Sequence, residues 1–188
     1  MLRVDHTDHC RTDLLRKNHV DTNEHLAISV RRARPDDAVA LADLVNRAYA
    51  VEGFFVDGNR TTPEEIEALV HKGTFLVLER GPFLAAAVYV DVTGYIGMLS
   101  VEPSVQGMGL GTRLVRIAEA MCEAMGAPSV RLRIVNLREE LHRWYKGLGY
   151  REVATHPYDH RPVKQPCHFV EMHKWLASAT ESAAAAVA

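Results

Sequence analysis

The feature that most constrains this chain is a glycine-rich turn between an apolar strand and an amphipathic helix. The strand includes Met98–Val101, the turn spans Gln106–Gly111, and the apolar stripe of the helix begins at Leu114. Glycine adopts positive φ angles without steric cost and lets a ligand approach the backbone closely. Several amide N–H groups can therefore converge at the helix N-terminus, where the helix dipole also favours negative charge. The turn predicts a phosphate-binding site, and the alternative is a tight connection without a ligand.

Two common phosphate-binding motifs do not fit this turn. A P-loop requires Gly-Lys followed by Ser or Thr, and no such sequence follows the strand. A dinucleotide-binding motif, G-x-G-x-x-G, needs a third glycine or alanine, but Thr112 or Leu114 occupies that position in the two available registers. The next strand ends in Asn136 rather than in a carboxylate. The ligand is therefore expected to be another kind of phosphate compound.

The elements around the turn predict a mixed α/β fold. Antiparallel strands occupy the middle of the chain and are followed by a strand, helix, strand, helix, strand pattern. The predicted strands are 28–32, 74–79, 83–92, 95–101, 130–135, 150–154 and 168–175. One helix is predicted to follow Pro35, and three more are predicted at 63–72, 109–125 and 138–146. We expect one folded domain over residues 27–176, with a flexible extension at 1–26 and a low-complexity tail at 177–188.

Composition excludes several classes of protein. The chain of 188 residues carries 22 Lys and Arg against 24 Asp and Glu, so its net charge of −2 does not favour binding to nucleic acid or to anionic lipid. No apolar run approaches the roughly 18 residues of a membrane helix, and the N-terminus lacks the apolar core of a signal peptide. The three scattered cysteines do not form a disulfide framework, which favours a reducing, cytoplasmic location.

Two separated motifs resemble those of the GNAT N-acetyltransferase superfamily. Gln106-x-x-Gly109-x-Gly111 is similar to the family's acyl-CoA-binding signature, Gln/Arg-x-x-Gly-x-Gly/Ala. The strand Val130–Asn136 and the segment Leu141–Tyr150, which contains Tyr145, resemble the family's order of strand, Asn, helix, Tyr and Gly-Phe/Tyr. The order of elements from 28 to 175 also agrees, so the resemblance covers essentially the whole predicted domain.

The resemblance implies a GNAT-type fold, in which a mixed, mostly antiparallel central sheet is flanked by helices. The sheet would be splayed between the strand ending at Val101 and the strand ending at Val135, with acetyl-CoA as co-substrate in the gap. The pantetheine arm would pair with the backbone of the first strand, and the pyrophosphate would meet the amides of the turn. The implied contacts are Leu99, Ser100, Val101, Gln106, Gly107, Met108, Gly109, Leu110, Gly111, Thr112, Asn136 and Tyr145.

The second motif departs from the family pattern in one respect. Asn136 lies nine residues before Tyr145, which is further than in the commoner family pattern. Counting back from Tyr145 therefore places Arg138 at the usual position of the asparagine.

Tyr145 is the proton donor that the resemblance implies. A phenol with an ordinary pKa of about 10 is protonated at neutral pH and can donate to the departing thiolate. For the base we select Glu102, which borders the glycine turn, because the usual family position on the preceding strand holds Tyr95. Asp91, Glu52 and a water relay are alternatives. The backbone N–H of Leu99 or of a neighbour would donate to the thioester carbonyl oxygen.

The acceptor is expected to bind between the segments 51–61 and 156–166, which the motifs do not cover. The candidates are Phe54, Phe55, Arg60, Tyr95, His156 and Tyr158. No metal site is expected, because His168 and His173 have opposite parity on one predicted strand and should face opposite sides of the sheet.

The resulting hypothesis is an acetyl-CoA-dependent N-acetyltransferase. It would transfer the acetyl group directly, in a ternary complex, to a primary amine of a small molecule. The alternatives are a non-catalytic acyl-CoA sensor, a protein-lysine or N-terminal acetyltransferase, and a small phospholigand-binding regulator. The resemblance to the family also suggests a homodimer.

Overall fold

The structure is a computed structural model that describes residues 28–176, so the predicted extension at 1–26 and tail at 177–188 lie outside it. The described strands are β1 (Ile28–Arg32), β2 (Thr74–Arg80), β3 (Phe83–Val90), β4 (Ile96–Val101), β5 (Ser129–Val135), β6 (Arg151–Pro157) and β7 (His168–Trp175). The α-helices are α1 (Ala38–Tyr49), α2 (Pro63–Lys72), α3 (Leu110–Ala124) and α4 (Glu139–Gly147). Within this range every helix is too short or too polar to span a bilayer.

The strands form two sheets that meet at one point. β1, β2, β3 and β4 pair in antiparallel order, and β5, β7 and β6 form a second antiparallel sheet. The sheets are joined by a parallel bridge between Tyr95 and Arg131, where the Arg131 amide donates to the carbonyl of Gly94 at 2.9 Å. Beyond this bridge β4 and β5 share no further pairing within residues 28–176. The predicted mixed, mostly antiparallel and splayed sheet is therefore confirmed.

β2 is buried on both faces, which explains its continuous apolar sequence. Phe75 and Val77 pack with α1 and α2, whereas Leu76 and Leu78 pack on the side of α3. This division follows from the alternation of side chains along a strand. Burying an aliphatic or aromatic side chain of this kind stabilises a fold by about 1.5–3 kcal/mol. Cys122 of α3 is fully buried in the same core, as its place on the apolar stripe predicts.

α2 begins and ends where the sequence predicts. Thr62 Oγ1 accepts from the Glu65 amide at 3.3 Å, and Glu65 Oε2 accepts from the Thr62 amide at 3.2 Å. This reciprocal pair satisfies two N–H groups that the first turn of a helix leaves without partners. Pro63 occupies the first helical position, where its missing N–H has no cost.

β6 extends further than the predicted strand at 150–154. It continues to Pro157 because His156 and Pro157 pair with Phe169 and His168 of β7. A proline is tolerated here because β6 is an edge strand and its outer side donates no ladder hydrogen bond. The segment around 156, predicted as a loop, is therefore partly a strand, and the loop is correspondingly shorter.

Candidate active site

A cleft of about 860 Å³ opens where β4 and β5 diverge. Its walls are β4, β5, the glycine turn with the start of α3, the inner face of α4, and the segment between α1 and α2. The motifs that resemble the GNAT family, which are far apart in sequence, therefore border one cavity. A cleft of this size can enclose most of a drug-sized ligand.

A β-bulge changes the direction of β4 inside this cleft. Ser100 pairs with Ala87 and Gly97 pairs with Tyr89, so Met98 and Leu99 together oppose the single residue Val88. Met98 has a φ of 49°, which is unusual for a residue other than glycine. Bulges interrupt the ladder and redirect the bulged strand. The backbone of Met98 and Leu99 is thus available to a ligand in the cleft.

The glycine turn has the geometry that its sequence predicts. Gly107 and Gly109 both have a φ of 78°, and a Cβ added at either glycine would meet no atom within 4 Å. Gly109 is the N-cap of α3, and Gln106 Nε2 donates to the carbonyl of Val101 at 3.1 Å, which ties the turn to the end of β4. The amides of the first turn of α3 therefore lie at an open, positively polarised helix end.

Most of the predicted acetyl-CoA contacts line the cleft, and three do not. Leu99, Val101, Gln106, Gly107, Gly109, Leu110, Gly111, Thr112 and Tyr145 line it. Ser100 is buried away from it, with its hydroxyl donating to the carbonyl of Met98 at 3.1 Å. The side chain of Met108 is 58% exposed and lies outside the cleft.

Asn136 joins two strands of the second sheet instead of lining the cleft. Its side-chain Oδ1 accepts from the backbone amide of His168 at 2.8 Å, and its backbone amide donates to the carbonyl of His168 at 3.0 Å. The prediction of Asn136 as a contact of the CoA arm is therefore not supported by the geometry. Arg138, the residue at the counted-back position, does line the cleft.

Tyr145 is a buried phenol inside the cleft. It lies on α4, is 5% exposed, and packs edge-to-face against Trp144 and Tyr150 at centroid distances of 4.6 and 5.4 Å. Burial raises the pKa of Tyr145 well above its ordinary value, and the nearby phenols of Tyr49 and Tyr95 act in the same direction. The hydroxyl is therefore protonated at every physiological pH.

Glu52 is the buried carboxylate of the cleft. It lies in the 3₁₀ turn that follows α1, is 7% exposed, and its Oε1 lies 3.2 Å from Arg138 Nη1. Burial raises the pKa of Glu52, and the charge of Arg138 opposes the rise. The sequence places Glu52 beside two phenylalanines, and this apolar setting was the only signal that it would be buried.

Glu102 lies outside the cleft, which corrects its selection as the base. Its Oε2 accepts from Arg47 Nη2 at 2.8 Å, and the pair borders a separate depression next to Phe83. Asp91 does line the cleft, but one of its oxygens is occupied by the amides of Thr93 and Tyr95 at 2.7 and 3.0 Å.

The candidate acceptor residues divide into two groups. Arg60, Tyr95 and Tyr158 line the cleft, whereas Phe54, Phe55 and His156 do not. Phe54 is half exposed, and Phe55 is fully buried in a small core with Val56, Val135 and Phe169. Phe54, Phe55 and His156 therefore do not form part of the cleft wall that would contact an acceptor.

His156 belongs to a charge cluster around Glu171, a lining residue that sequence analysis missed. The Glu171 carboxylate lies 2.8 Å from His173 Nε2, 3.1 Å from Arg133 Nη2 and 2.8 Å from His156 Nε2. The hydrogen bonds from His173 and Arg133, together with the nearby imidazole of His156, lower the pKa of Glu171 to about 2. The cluster ties β5, β6 and β7 together, and only the tertiary pairing of these strands reveals it.

Two segments that border the acceptor end are tied to each other. Val56 forms a β-bridge with Val163, and the Lys164 amide donates to the carbonyl of Phe55 at 2.8 Å. Arg161 Nη1 donates to the carbonyl of Asn59 at 2.7 Å. The segment after α1 and the segment after β6 therefore form one connected wall.

The family model described as the acetyltransferase (GNAT) family matches residues 40–150. The chain belongs to the GNAT acetyltransferase family. The matched range begins in α1 and ends at Tyr150, so it includes the bulged strand, the glycine turn and Tyr145.

Solved GNAT structures share the fold at low sequence identity. A protein assigned as a phosphinothricin N-acetyltransferase is 17% identical over 80% of this chain and 99% of its own, with a TM-score of 0.68. YncA from Salmonella typhimurium, whose structure contains acetyl-CoA, is 17% identical over 80% and 94%, with a TM-score of 0.65. The ribosomal-protein-S18-alanine N-acetyltransferase from Escherichia coli is 15% identical over 78% and 92%, with a TM-score of 0.67. A sequence search against curated proteins found no match.

Proposed function

We propose that this protein is an acetyl-CoA-dependent N-acetyltransferase that acetylates a primary amine of a small molecule. One observation carries the proposal. The protonated, buried phenol of Tyr145 shares a single cleft with the bulged strand β4 and with the glycine turn that begins α3. These are the parts that acetyl transfer needs, because a thioester carrier must be held, its carbonyl polarised and its thiolate protonated.

The carrier would be held by backbone groups. The bulged segment at Met98 and Leu99 offers main-chain groups to a pantetheine amide and to the thioester carbonyl. The turn from Gly107 to Thr112 offers amides to a diphosphate at the N-terminus of α3. A bound acetyl-CoA supplies the activated acetyl group, and the remaining steps belong to side chains of the cleft.

Glu52 and Tyr145 are the side chains that we assign to the two proton transfers. The neutral amine attacks the acetyl carbon, so a C–N bond forms and the C–S bond breaks. Glu52, whose pKa is raised by burial, accepts the proton that the amine loses, directly or through a water molecule. Tyr145 donates a proton to the thiolate that leaves. The products are an acetamide and a thiol. Glu52 then releases its proton to solvent, and Tyr145 regains a proton from solvent.

A small acceptor is favoured over a polypeptide because the acceptor end of the cleft is bounded by a connected wall. The bridge between Val56 and Val163 and the Arg161 hydrogen bond to Asn59 link the two segments that contribute Arg60 and Tyr158 to the lining. An extended peptide would need an open groove across this wall. A compact amine needs only the space of the cleft itself.

Thiol release separates the proposal from its main alternative, a non-catalytic acyl-CoA sensor. The wild-type protein should release thiol from acetyl-CoA when it is given a panel of primary amines. Tyr145→Phe should lower turnover by about 100-fold or more, because general acid catalysis contributes roughly 10²–10⁴. The affinity for CoA, measured by calorimetry, should stay within about threefold, since the lost hydroxyl contributes little to ground-state binding. Binding of CoA without thiol release from any amine would contradict the proposal.

A further inference from the structure

Four arginines line the cleft, and three of them are already engaged by the protein. Arg133 pairs with Glu171 at 3.1 Å, and Arg138 pairs with Glu52 at 3.2 Å and with Glu140. Arg131 Nη2 donates to Thr93 Oγ1 at 2.7 Å. Carboxylates therefore neutralise Arg133 and Arg138, whereas Arg131 keeps its charge and has one nitrogen bonded to a hydroxyl.

Arg60 is the exception. Its guanidinium lies over the ring of Tyr49, with the central carbon 5.6 Å from the ring centroid, and its side chain is half-buried in the wall. Within residues 28–176 it makes no ion pair and no hydrogen bond. A half-buried positive charge without an anionic partner is costly unless a ligand supplies the anion.

The position of Arg60 is fixed by its neighbour in the chain. The amide of Thr61 donates to Asn46 Oδ1 at 3.0 Å, and Asn46 Nδ2 donates to the carbonyl of Thr61 at 3.0 Å. This pair of bonds holds the backbone next to Arg60 against α1. Together with the stacking on Tyr49, it limits the freedom that the side chain would lose on binding.

Within residues 28–176, no carboxylate of the cleft forms an ion pair with Arg60. Glu52, whose pKa burial raises and the charge of Arg60 helps to lower, forms its ion pair with Arg138 instead. Glu171 is held by His173, His156 and Arg133, and an oxygen of Asp91 accepts from two amides of its own turn. The phenols nearest to Arg60 are also neutral, since burial raises the pKa of Tyr49 to about 12 and also raises the pKa of Tyr95. Among the described residues that line the cleft, Arg60 is therefore the arginine whose guanidinium has no polar partner in the protein.

We propose that Arg60 binds an anionic group of the acceptor, so that the substrate is a small amine that also carries a carboxylate or a phosphate. This inference rests on the proposed function and names its substrate class. Arg60 and Glu52 lie on the same connecting segment and line the same cleft. An acceptor with an anion at one end and an amine at the other matches this order of charges. A diamine would place its second ammonium against Arg60 and is disfavoured by like-charge repulsion.

Matched pairs of amines test the inference. The pairs are phosphoethanolamine with ethanolamine and β-alanine with propylamine, which separate a phosphate from a carboxylate. Rates of thiol release are compared at equal concentrations of the unprotonated amine, because the anion changes the pKa of its own amine. The protein should show a kcat/KM about 10- to 100-fold higher for the anionic member of at least one pair, as expected for a charge-assisted contact.

Variants assign the preference to Arg60. Arg60→Ala should lower kcat/KM for the anionic member more than for the neutral member, so that the ratio within the preferred pair comes close to one. Arg60→Lys keeps the positive charge but lacks the planar guanidinium, so it should retain part of the preference. This result would exclude misfolding as the cause of the lost preference in Arg60→Ala. Arg151→Ala removes an arginine that is exposed on β6 and does not line the cleft, and it should leave the ratio unchanged.

Failure of the inference and failure of the proposed function look different. Two results would overturn the role of Arg60. One is a kcat/KM for the neutral amines that equals or exceeds that for their anionic partners. The other is an equal loss of kcat/KM for both members of a pair in Arg60→Ala. No thiol release from any of the four amines would overturn the proposed function. Calorimetry of phosphoethanolamine and β-alanine with the CoA-saturated protein then decides the Arg60 contact. Binding that disappears in Arg60→Ala supports the contact, and equal binding of the neutral amines contradicts it.

Discussion

At the scale of single residues, burial acts on two side chains of the cleft in chemically opposite ways. Desolvation raises the pKa values of Tyr145 and Glu52 because it disfavours their charged forms. For Tyr145 the consequence is that the phenol is fully protonated when the thiolate begins to leave, although the raised pKa also makes it a weaker acid. For Glu52 the consequence is a carboxylate that is more basic than usual. The same physical effect thus leaves a protonated phenol and a more basic carboxylate in one cavity.

Glu52→Gln should lower kcat/KM by about 10²-fold or more, since it removes the proposed base. The pH profile provides the sharper measurement. The parent rate should fall as the pH decreases through the raised pKa of Glu52, because protonation removes the base. With the same amine, the profile of Glu52→Gln should lack this step and keep only the dependence that comes from ionisation of the amine.

Glu102→Gln is the matched control for this change. It replaces the other candidate carboxylate by an amide in the same way, but this carboxylate pairs with Arg47 outside the cleft. Activity should therefore stay within about twofold, because exposed ion pairs contribute only about 0–1 kcal/mol. A larger loss in Glu102→Gln than in Glu52→Gln would reverse the assignment of the base.

At the scale of elements, the glycine turn and α3 act together as an anion-binding unit. Positive φ angles at Gly107 and Gly109 turn the chain so that the helix begins at Leu110 with its first amides uncovered. The bulge in β4 similarly turns the backbone of Met98 and Leu99 out of the ladder. Both devices present main-chain groups instead of side chains, which explains why the family signature consists largely of glycines.

Gly109→Ala should weaken CoA binding and also destabilise the fold. A non-glycine residue at a φ of 78° costs about 1–2 kcal/mol, and its methyl group would project into the open space of the turn. We expect the Kd for CoA, measured by calorimetry, to rise by about tenfold or more, because the backbone must approach the phosphate closely.

Gly126→Ala separates these two effects. Gly126, at the other end of α3, has a φ of 79° and equally open surroundings, but it does not line the cleft. The variant should lose a similar amount of stability in urea unfolding and keep its affinity for CoA. An equal loss of affinity in both variants would mean that the turn does not contact the ligand.

At the scale of the whole molecule, the two sheets of the described part of the chain are joined by one bridge at Tyr95 and Arg131 and diverge beyond it. The cleft between them is lined by residues of both sheets and of α3 and α4. A ligand that fills it would add contacts between parts that otherwise meet in few places. Ligand binding and the stability of the molecule should therefore be coupled.

CoA at about 100 times its Kd should stabilise the protein by about 2.7 kcal/mol, since it binds the folded state alone. For a chain of this size the change corresponds to a rise in Tm of roughly 5–10 °C, measurable by scanning calorimetry. Adenosine 3′,5′-diphosphate lacks the pantetheine arm and should give a smaller rise at the same concentration. No change in Tm with CoA would contradict a site between the sheets.

Local chemistry is what the sequence by itself determined. The capping box at Thr62 and Glu65, the glycine turn at 106–111 and the alternation in β1 and β7 all depend on neighbours within a few residues, so they can be derived from the chain alone. The spacing of the two family motifs extended this local information to the fold, because a shared ancestry carries the long-range pairings with it.

Burial and pairing between distant residues were decided only by the tertiary structure. Glu52 and Glu102 are both glutamates near predicted site segments, but only the packed molecule buries Glu52 in the cleft and pairs Glu102 with Arg47 outside it. Asn136 is likewise withdrawn by a contact with His168, thirty-two residues away. Among the residues that the structure describes, the carboxylates of the cleft pair elsewhere and leave Arg60 without an ion pair. Such outcomes depend on the summed positions of many side chains, which no local pattern in the sequence specifies.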